Sequence, residues 1–329
     1  MTPGWTAYWT MAPRHGMLRT EPVRAPRAGE ALVRALHSGI SRGTEMLVHG
    51  GHVPAEVAAS VRAPFQGGRW PGPVKYGYLS VGVVEAGPAS LLGRRVFCLH
   101  PHQDRYVVPV EALTVVPDDV PSDRAVLAGT VETAVNALWD AGPRIGDRVA
   151  VIGAGMVGAA LAALLRTFPL DGLQLLDVNP ARADLATALG VDWTHPSDAT
   201  GNLDLVFHCS ASEDGLARAL QLLGTEGTVI ELSWYGDGVP RVPLGTAFHA
   251  QRLTITASQV GVVSAARRAR RSTADRIALA LRRLTDPSFD ALLTGHSPFG
   301  QLPETMESIF TDGGATLCQV VDYPREEVG

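Results

Sequence analysis

The sequence predicts an α/β protein in two parts: a β-rich first part, then a doubly wound parallel sheet. Three observations carry this. Short alternating segments between Gly- and Pro-rich turns fill about the first 120 residues. From about Ser122 the pattern changes to apolar strands alternating with helical stretches. Within that second pattern, residues 149–177 run strand, glycine-rich turn, helix, strand, acid.

In the first part, 30–35, 78–84 and 105–110 read as strands, separated by turns such as Gly50-Gly51 and Pro71-Gly72-Pro73. In the second, 149–152, 173–177, 205–209, 227–232 and 253–258 are strands, with helices such as 159–165, 181–189 and 215–223 between them. After about Thr273 come a helix (274–284), a short strand (292–294), a helix (303–311) and a last strand (317–321). That strand is most simply returned to the β-rich part. The expected domains are 1–121, 122–272 and a C-terminal return, 273–329.

Composition narrows the function. With 329 residues and 46% hydrophobic content, the chain can bury two cores. A net charge of −5 argues against a nucleic-acid or anionic-membrane partner. The cluster Arg267, Arg268, Arg270 and Arg271 then reads as a solvated face or as ion-pair partners. The first sixteen residues contain no continuous apolar run, so no secretory signal is expected. The longest uncharged apolar run, 149–165, falls short of a membrane span and contains three glycines. Cys98, Cys209 and Cys318 lack paired spacing and read as buried thiols of a cytoplasmic protein. Lys75 is the single lysine among 28 basic residues. Unlike arginine, lysine has a pKa that burial can lower.

The stretch 149–177 is the strongest signal. An apolar strand runs into Gly153-Ala154-Gly155-Met156-Val157-Gly158, and the second strand ends on Asp177, nineteen residues after Gly158. Gly153 permits a tight turn, Gly155 lets a pyrophosphate approach the backbone, and Gly158 lets helix and strand pack closely. The helix N-terminus offers N–H donors to phosphates. Asp177 can accept from a ribose 2′-hydroxyl and repels a 2′-phosphate, which favours NAD over NADP. Arg182, five residues on, can stack on adenine or attract a phosphate.

A β-rich part, an inserted dinucleotide-binding domain and a C-terminal return resemble the medium-chain dehydrogenase/reductase superfamily. Residues 77–87 (GYLSVGVVEAG) resemble its Gly-His-Glu strand pair, Gly39 to Glu45 its first active-site loop, and Gly93-Arg94-Arg95-Val96 its Gly-Asp-Arg-Val turn. The Ser38–Glu45 loop, Gly77-Tyr78-Leu79-Ser80 and Thr316-Leu317-Cys318 are most similar to the zinc-lacking, bacteriochlorophyllide dehydrogenase-like branch. The resemblance implies a GroES-like catalytic domain, a Rossmann domain and hydride transfer with a nicotinamide cofactor.

It also implies where a catalytic zinc would sit, and the ligand types are missing there. Those places hold Ser41 (or Arg42), Tyr78 and Gly129, with Leu79 in place of a carboxylate. Zinc needs three or four N, S or O ligands at close range. No metal is expected, and His100-Pro101-His102-Gln103 reads as a polar cleft wall or a satisfied structural pair. Tyr78, with Lys75 nearby to lower its pKa, is the expected general acid/base. Ser41, Thr44 and His102 are fallback donors, and Glu45 is expected to orient the loop by pairing with Arg42.

Further cofactor contacts follow from the resemblance. Val157 and Thr133 would lie on the nicotinamide side, with Cys209 and Ser210 beneath the adenosine ribose. Ser233 and Trp234, and Ser258 and Gln259, follow the fifth and sixth strands, beyond whose carboxyl ends ligands bind. Trp234, Tyr235 and Trp70 would make the cleft aromatic. The expected function is zinc-independent, NAD(H)-dependent hydride transfer to or from a bulky alcohol or ketone. Quinone or enoyl reduction, and NAD sensing without turnover, are the alternatives. The partners expected are a small-molecule substrate and a second copy of the chain in a homodimer.

Overall fold

The computed structural model describes residues 4–324, which fall into two compact units. One holds the chain through Gly129, Ile277–Thr285 and the residues from Leu293 on; the other holds Thr130–Arg276 and Asp286–Leu292.

The first unit begins with a hairpin, β1 (Trp5–Ala12) and β2 (His15–Glu21), turned at Arg14 with φ 59°. It lacks an Asn-Gly type of turn signal. Next come β3 (Glu30–Ser41), α1 (Arg42–Gly50), β4 (Gly67–Gly68), β5 (Val74–Lys75), β6 (Ser80–Ala86), β7 (Arg95–Cys98), β8 (Arg105–Pro109), β9 (Thr114–Val115) and α2 (Ser122–Ala125). Strand β3 runs six residues past its expected end at 35. His37 and Ser38 break the apolar alternation, yet each finds a partner within the unit: Asp322 for His37, and His102 and Tyr323 for Ser38. The expected active-site loop from Gly39 is therefore the end of a strand followed by a helix. The core between β3, β6, β7 and β8 is Ala31, Val33, Val84, Val96, Cys98, Tyr106 and Val108.

The second unit opens with α3 (Ala128–Ala141), whose first two residues lie in the other unit, and β10 (Arg148–Ile152). It continues through α4 (Met156–Leu165), β11 (Gly172–Leu176), α5 (Arg182–Leu189), β12 (Asp192–Thr194), β13 (Leu203–His208), α6 (Glu213–Leu222), β14 (Leu223–Glu231) and β15 (Thr254–Ala257). All six strands are parallel, in the order β12-β11-β10-β13-β14-β15. The order in which strands are added reverses between β10 and β13, the place where such sheets bind nucleotides. Strand β12, three residues long and half polar, left no mark in the apolar pattern.

After α7 (Thr273–Arg283), β16 (Leu293–Pro298), α8 (Leu302–Thr311) and β17 (Cys318–Asp322) complete the first unit. β17 lies antiparallel to β3, with Cys318 opposite Ser41. The unit boundaries depart from 121/122 and 272/273 for two packing reasons. α2 packs on β3 and β6, while the turn at Pro287–Leu292 packs on α4 and α5 with Phe289 and Leu292 buried. Among the described residues no helix is long and apolar enough to cross a membrane.

Candidate functional site

The glycine turn of the second unit has the geometry that its sequence requires. Gly153 has φ +100°, and a Cβ there would lie 2.8 Å from the Ser210 nitrogen. A Cβ on Gly158 would lie 1.9 Å from the Gly153 carbonyl oxygen, so α4 can rest on β10 only with glycine there. Gly155, the N-cap of α4, has open space around its Cβ position. Two of the glycines are thus packing requirements, and the third leaves room for a ligand. Met156 is buried and Val157 half-buried at the first turn of α4.

Asp177 has a structural task as well. Its Oδ2 accepts from the Ala154 N–H at 2.7 Å and its Oδ1 from the Asn179 N–H at 2.8 Å. The acid therefore also closes the loop, besides any contact it makes with a ribose hydroxyl. Each oxygen keeps a lone pair for a further donor. A pocket of about 270 Å³ lies beside it, lined by Ile152, Gly153, Val178, Pro196, Ser210 and Arg218 among others. Val178 is 73% exposed at this pocket. Ile152, Val178 and Pro196 offer an apolar slot for a flat ring, and the polar groups stand around it. Arg182 begins α5 and does not line the pocket; Arg218 of α6 does.

In the first unit, the structure brings Tyr78, Ser41 and Thr44 together, and both hydroxyls act on the phenol to lower its pKa. Ser41 ends β3 and Thr44 lies in the first turn of α1, so one strand-to-helix junction supplies both. Burial pushes the Tyr78 phenol up to about 12 against the lowering effect of these hydroxyls, and the charge of Glu45 adds to the rise. Behind it, Tyr76 packs edge-on at 6.0 Å, and Trp70 packs on Tyr76 at 6.0 Å. The buried Trp70 indole N–H has no hydrogen-bond partner among the described residues.

Several expectations are corrected here. Lys75 does not serve Tyr78: its Nζ donates to Glu21 at 2.7 Å and to Gln103 at 2.9 Å, and the phenol pKa rises instead of falling. His102 is 1% exposed and bonds Glu45 through Nε2 at 2.8 Å and Ser38 through Nδ1 at 2.7 Å. It is a satisfied structural histidine, too deep to give a proton to a substrate. His100 stacks on Tyr106 at 3.8 Å, and burial pushes its pKa down to about 3. Glu45 does not pair with Arg42. It accepts from the Ser41 N–H at 2.8 Å and holds His102, while Arg42 pairs with Asp312.

The residues at the implied zinc position do not fit the metal. Among the described residues no three His, Cys, Asp or Glu side chains gather to hold an ion. The fully buried Leu79 packs against Gly129 and Gly39: its Cδ2 would lie 2.5 Å from a Cβ on Gly129, and its Cδ1 3.2 Å from one on Gly39.

The remaining expected contacts lie in the second unit. Thr133 is half-buried on α3. Cys209 follows β13, and burial raises its thiol pKa. Ser258 donates to Asp140 of α3 at 2.7 Å, and the Gln259 side chain accepts from the Gly261 N–H, so the first is tied to a helix and the second to its own loop. Ser233 accepts from the Ala211 N–H at 3.0 Å; Trp234 is half-buried beside it. Sequence reading missed His208 and Glu231 and took Tyr235 only as an aromatic of the cleft; the three join Ser210 and Ser233 in one hydrogen-bonded group. The available signal was polar residues closing two adjacent apolar strands.

No family model matches the chain. It is 30% identical over 130 residues to the L-threonine 3-dehydrogenase of Sinorhizobium fredii, covering 39% of this chain and 33% of that protein. The same enzyme of Sinorhizobium medicae is 29% identical over 122 residues, covering 37% and 31%. The chain thus spans about a third of the length of the curated relatives it matches. Among solved structures, L-idonate 5-dehydrogenase of Escherichia coli aligns with TM-score 0.80 at 14% identity, covering 98% of this chain and 99% of that one. An alcohol dehydrogenase of Escherichia coli complexed with NADH gives 0.77 at 16%, covering 97% and 99%. A candidate zinc-binding dehydrogenase of Sinorhizobium meliloti bound to NADP gives 0.77 at 16%, covering 98% and 100%. At these identities the likeness shows the fold: a GroES-like β-rich unit and a doubly wound Rossmann unit of the alcohol-dehydrogenase kind.

Proposed function

We propose that the protein is a zinc-independent, NAD(H)-dependent oxidoreductase that moves hydride between nicotinamide and a bulky alcohol or ketone, on the zinc-lacking side of the medium-chain superfamily. The observation that carries this reading is the grouping of the Ser41, Tyr78 and Thr44 hydroxyls, of which Ser41 and Tyr78 hold places that the sequence resemblance gives to metal ligands. Nicotinamide supplies the hydride. Tyr78, with a pKa near 12, stays protonated at neutral pH and serves as the proton donor to a carbonyl oxygen. Ser41 and Thr44 stabilise the phenolate left behind. The Trp70–Tyr76–Tyr78 aromatic run favours a large or planar substrate, and an acceptor on that substrate would satisfy the Trp70 indole.

The test is an NADH-oxidation screen of ketones, quinones and enones, with and without chelator. Ketone turnover insensitive to EDTA supports the reading. Turnover of quinones or enones alone would make it a quinone or enoyl reductase, and NADH binding with no turnover would make it a sensor. The purified protein is expected to carry no stoichiometric zinc; one tightly held equivalent by elemental analysis would overturn that part.

Two further outcomes follow from the second unit. Asp177→Ser is expected to narrow the preference for NADH over NADPH, because the carboxylate that repels a 2′-phosphate is gone; dissociation constants for both cofactors measure it. Gly155→Val fills open space, so it should leave the melting temperature nearly unchanged while weakening NADH binding by roughly 100-fold. Gly158→Ala should instead cost about 1–3 kcal/mol of stability, since its methyl meets the Gly153 carbonyl. Equal effects of the two changes on both readouts would contradict their separate roles.

A further inference from the structure

Beyond the ends of β13 and β14, five side chains form a chain of hydrogen bonds that ends in the pocket. Glu231 Oε1 accepts from the Ser233 N–H at 2.7 Å, and Oε2 faces His208 Nδ1 at 2.8 Å and the Tyr235 hydroxyl at 3.3 Å. His208 Nε2 faces Ser210 Oγ at 2.7 Å, and Ser210 Oγ faces Ser212 Oγ at 2.8 Å. Ser212 Oγ also accepts from the Gly215 N–H at 3.0 Å as the N-cap of α6. Ser210 and Ser212 both line the pocket beside Asp177. His208 is 0% exposed and cannot touch a ligand. The fold makes room for this group at one position: a Cβ on Gly215 would lie 2.3 Å from Ser210 Oγ, 2.6 Å from Ser212 Oγ and 2.8 Å from His208 Nε2.

The direction of each bond follows from what each group can give. A carboxylate only accepts, so an imidazole in its neutral form carries its proton on Nδ1 and leaves Nε2 as an acceptor. Ser210 must then donate its proton to Nε2, and Ser212, already accepting from Gly215, donates to Ser210. Both serine oxygens are left showing lone pairs to the pocket. We propose that His208 and Glu231 are positioning residues that turn Ser210 and Ser212 into acceptors, so that this wall takes the free hydroxyl groups of a nucleotide's ribose and disfavours a phosphate in their place. The inference rests on the nucleotide reading of the pocket. The carboxylates of Asp177 and Asp214 on the same wall act in the same sense, and the Arg218 guanidinium opposes them.

A serine, histidine and acid in this order also occur in hydrolases, where free N–H groups stabilise the oxyanion. Here the Ala211 N–H is committed to Ser233 and the Gly215 N–H to Ser212. Orientation is therefore the role that the group supports.

Glu231→Gln tests it with little change of shape. The Ser233 N–H still needs an acceptor, so the amide oxygen takes the Oε1 place and the amide NH₂ turns toward His208 Nδ1. The ring proton moves to Nε2 and donates to Ser210, whose own proton is freed toward the pocket. Binding of NADH and NADPH, measured by fluorescence titration under mildly alkaline conditions, should show the ratio Kd(NADPH)/Kd(NADH) falling by roughly 5- to 10-fold from the parent value. An unchanged ratio in a variant with the parent melting temperature would overturn the inference. If that variant does not fold, Ser210→Ala takes its place: NADH should bind more weakly while NADPH is little affected, and equal losses would overturn it. The readout is a change in ratio without turnover. A parent that binds both cofactors equally would refute the NAD preference, and one that binds without reacting would refute the oxidoreductase reading, without either deciding this test.

Discussion

Tyr78→Phe is expected to lower kcat by roughly 10²- to 10⁴-fold, the range for losing a positioned proton donor. Phenylalanine keeps the ring that packs on Tyr76, so the melting temperature should hold. NADH affinity should stay nearly unchanged, because Tyr78 belongs to the β-rich unit and the glycine turn to the other. A variant retaining more than about a tenth of the parent kcat would leave Tyr78 as packing and pass the role to Ser41, Thr44 or water. The raised phenol also fixes the pH dependence. With a pKa near 12, Tyr78 gives no basic limb to the ketone-reduction profile in the neutral range. Lys75→Met should leave that profile where it is, since the ammonium is held by Glu21 and Gln103. A basic limb near neutrality that moves in Lys75→Met would show that the lysine reaches the phenol after all.

The largest loss of stability is expected at Arg276. Its guanidinium is fully buried and donates to Glu132 at 2.9 Å, to Asn136, and to the Val260 carbonyl at 2.5 Å. Removing one partner of a buried pair strands the other, so Arg276→Met should cost about 3–5 kcal/mol, read from urea unfolding. Burial is the stronger influence on Glu132: its carboxyl is raised to about 7 despite the adjacent cation. The sign follows. A carboxyl raised in the fold contributes stability that is complete below its ordinary value of 4.5 and is lost as pH climbs through about 7. Melting temperatures across that window should fall more steeply for the parent than for Glu132→Gln. Parallel slopes would show that Glu132 does not titrate there.

The fold was legible wherever local chain chemistry decides the outcome. The turn at Gly153 and the close contact at Gly158 exclude any side chain, so those residues announce their geometry directly. Apolar strands buried on both faces announce themselves as continuous runs, as β10 and β13 do. Polar strand ends and short edge strands carry no such signal. β12, the end of β3 and the β1–β2 hairpin were therefore missed or cut short.

The site divides along the same line. Sequence alone marked Ser41, Thr44 and Tyr78, whose place in motifs is fixed by neighbours in the chain. It could not assign partners to isolated charged or aromatic residues, because those partners are chosen by strand pairing across long stretches of chain. Glu45 meets His102 from 57 residues away, Lys75 meets Glu21 from 54, and His208 meets Glu231 from 23. Each pairing reverses or redirects the chemistry read from the single residue. His102 is withdrawn from the substrate, Lys75 from the phenol, and Ser210 gains a direction. The sequence by itself determined the glycine turn, and it marked Ser41, Thr44 and Tyr78 one by one. Tertiary structure decided the protonation and hydrogen-bond polarity around them, since both depend on burial and on which groups distant strands bring within 3 Å of one another.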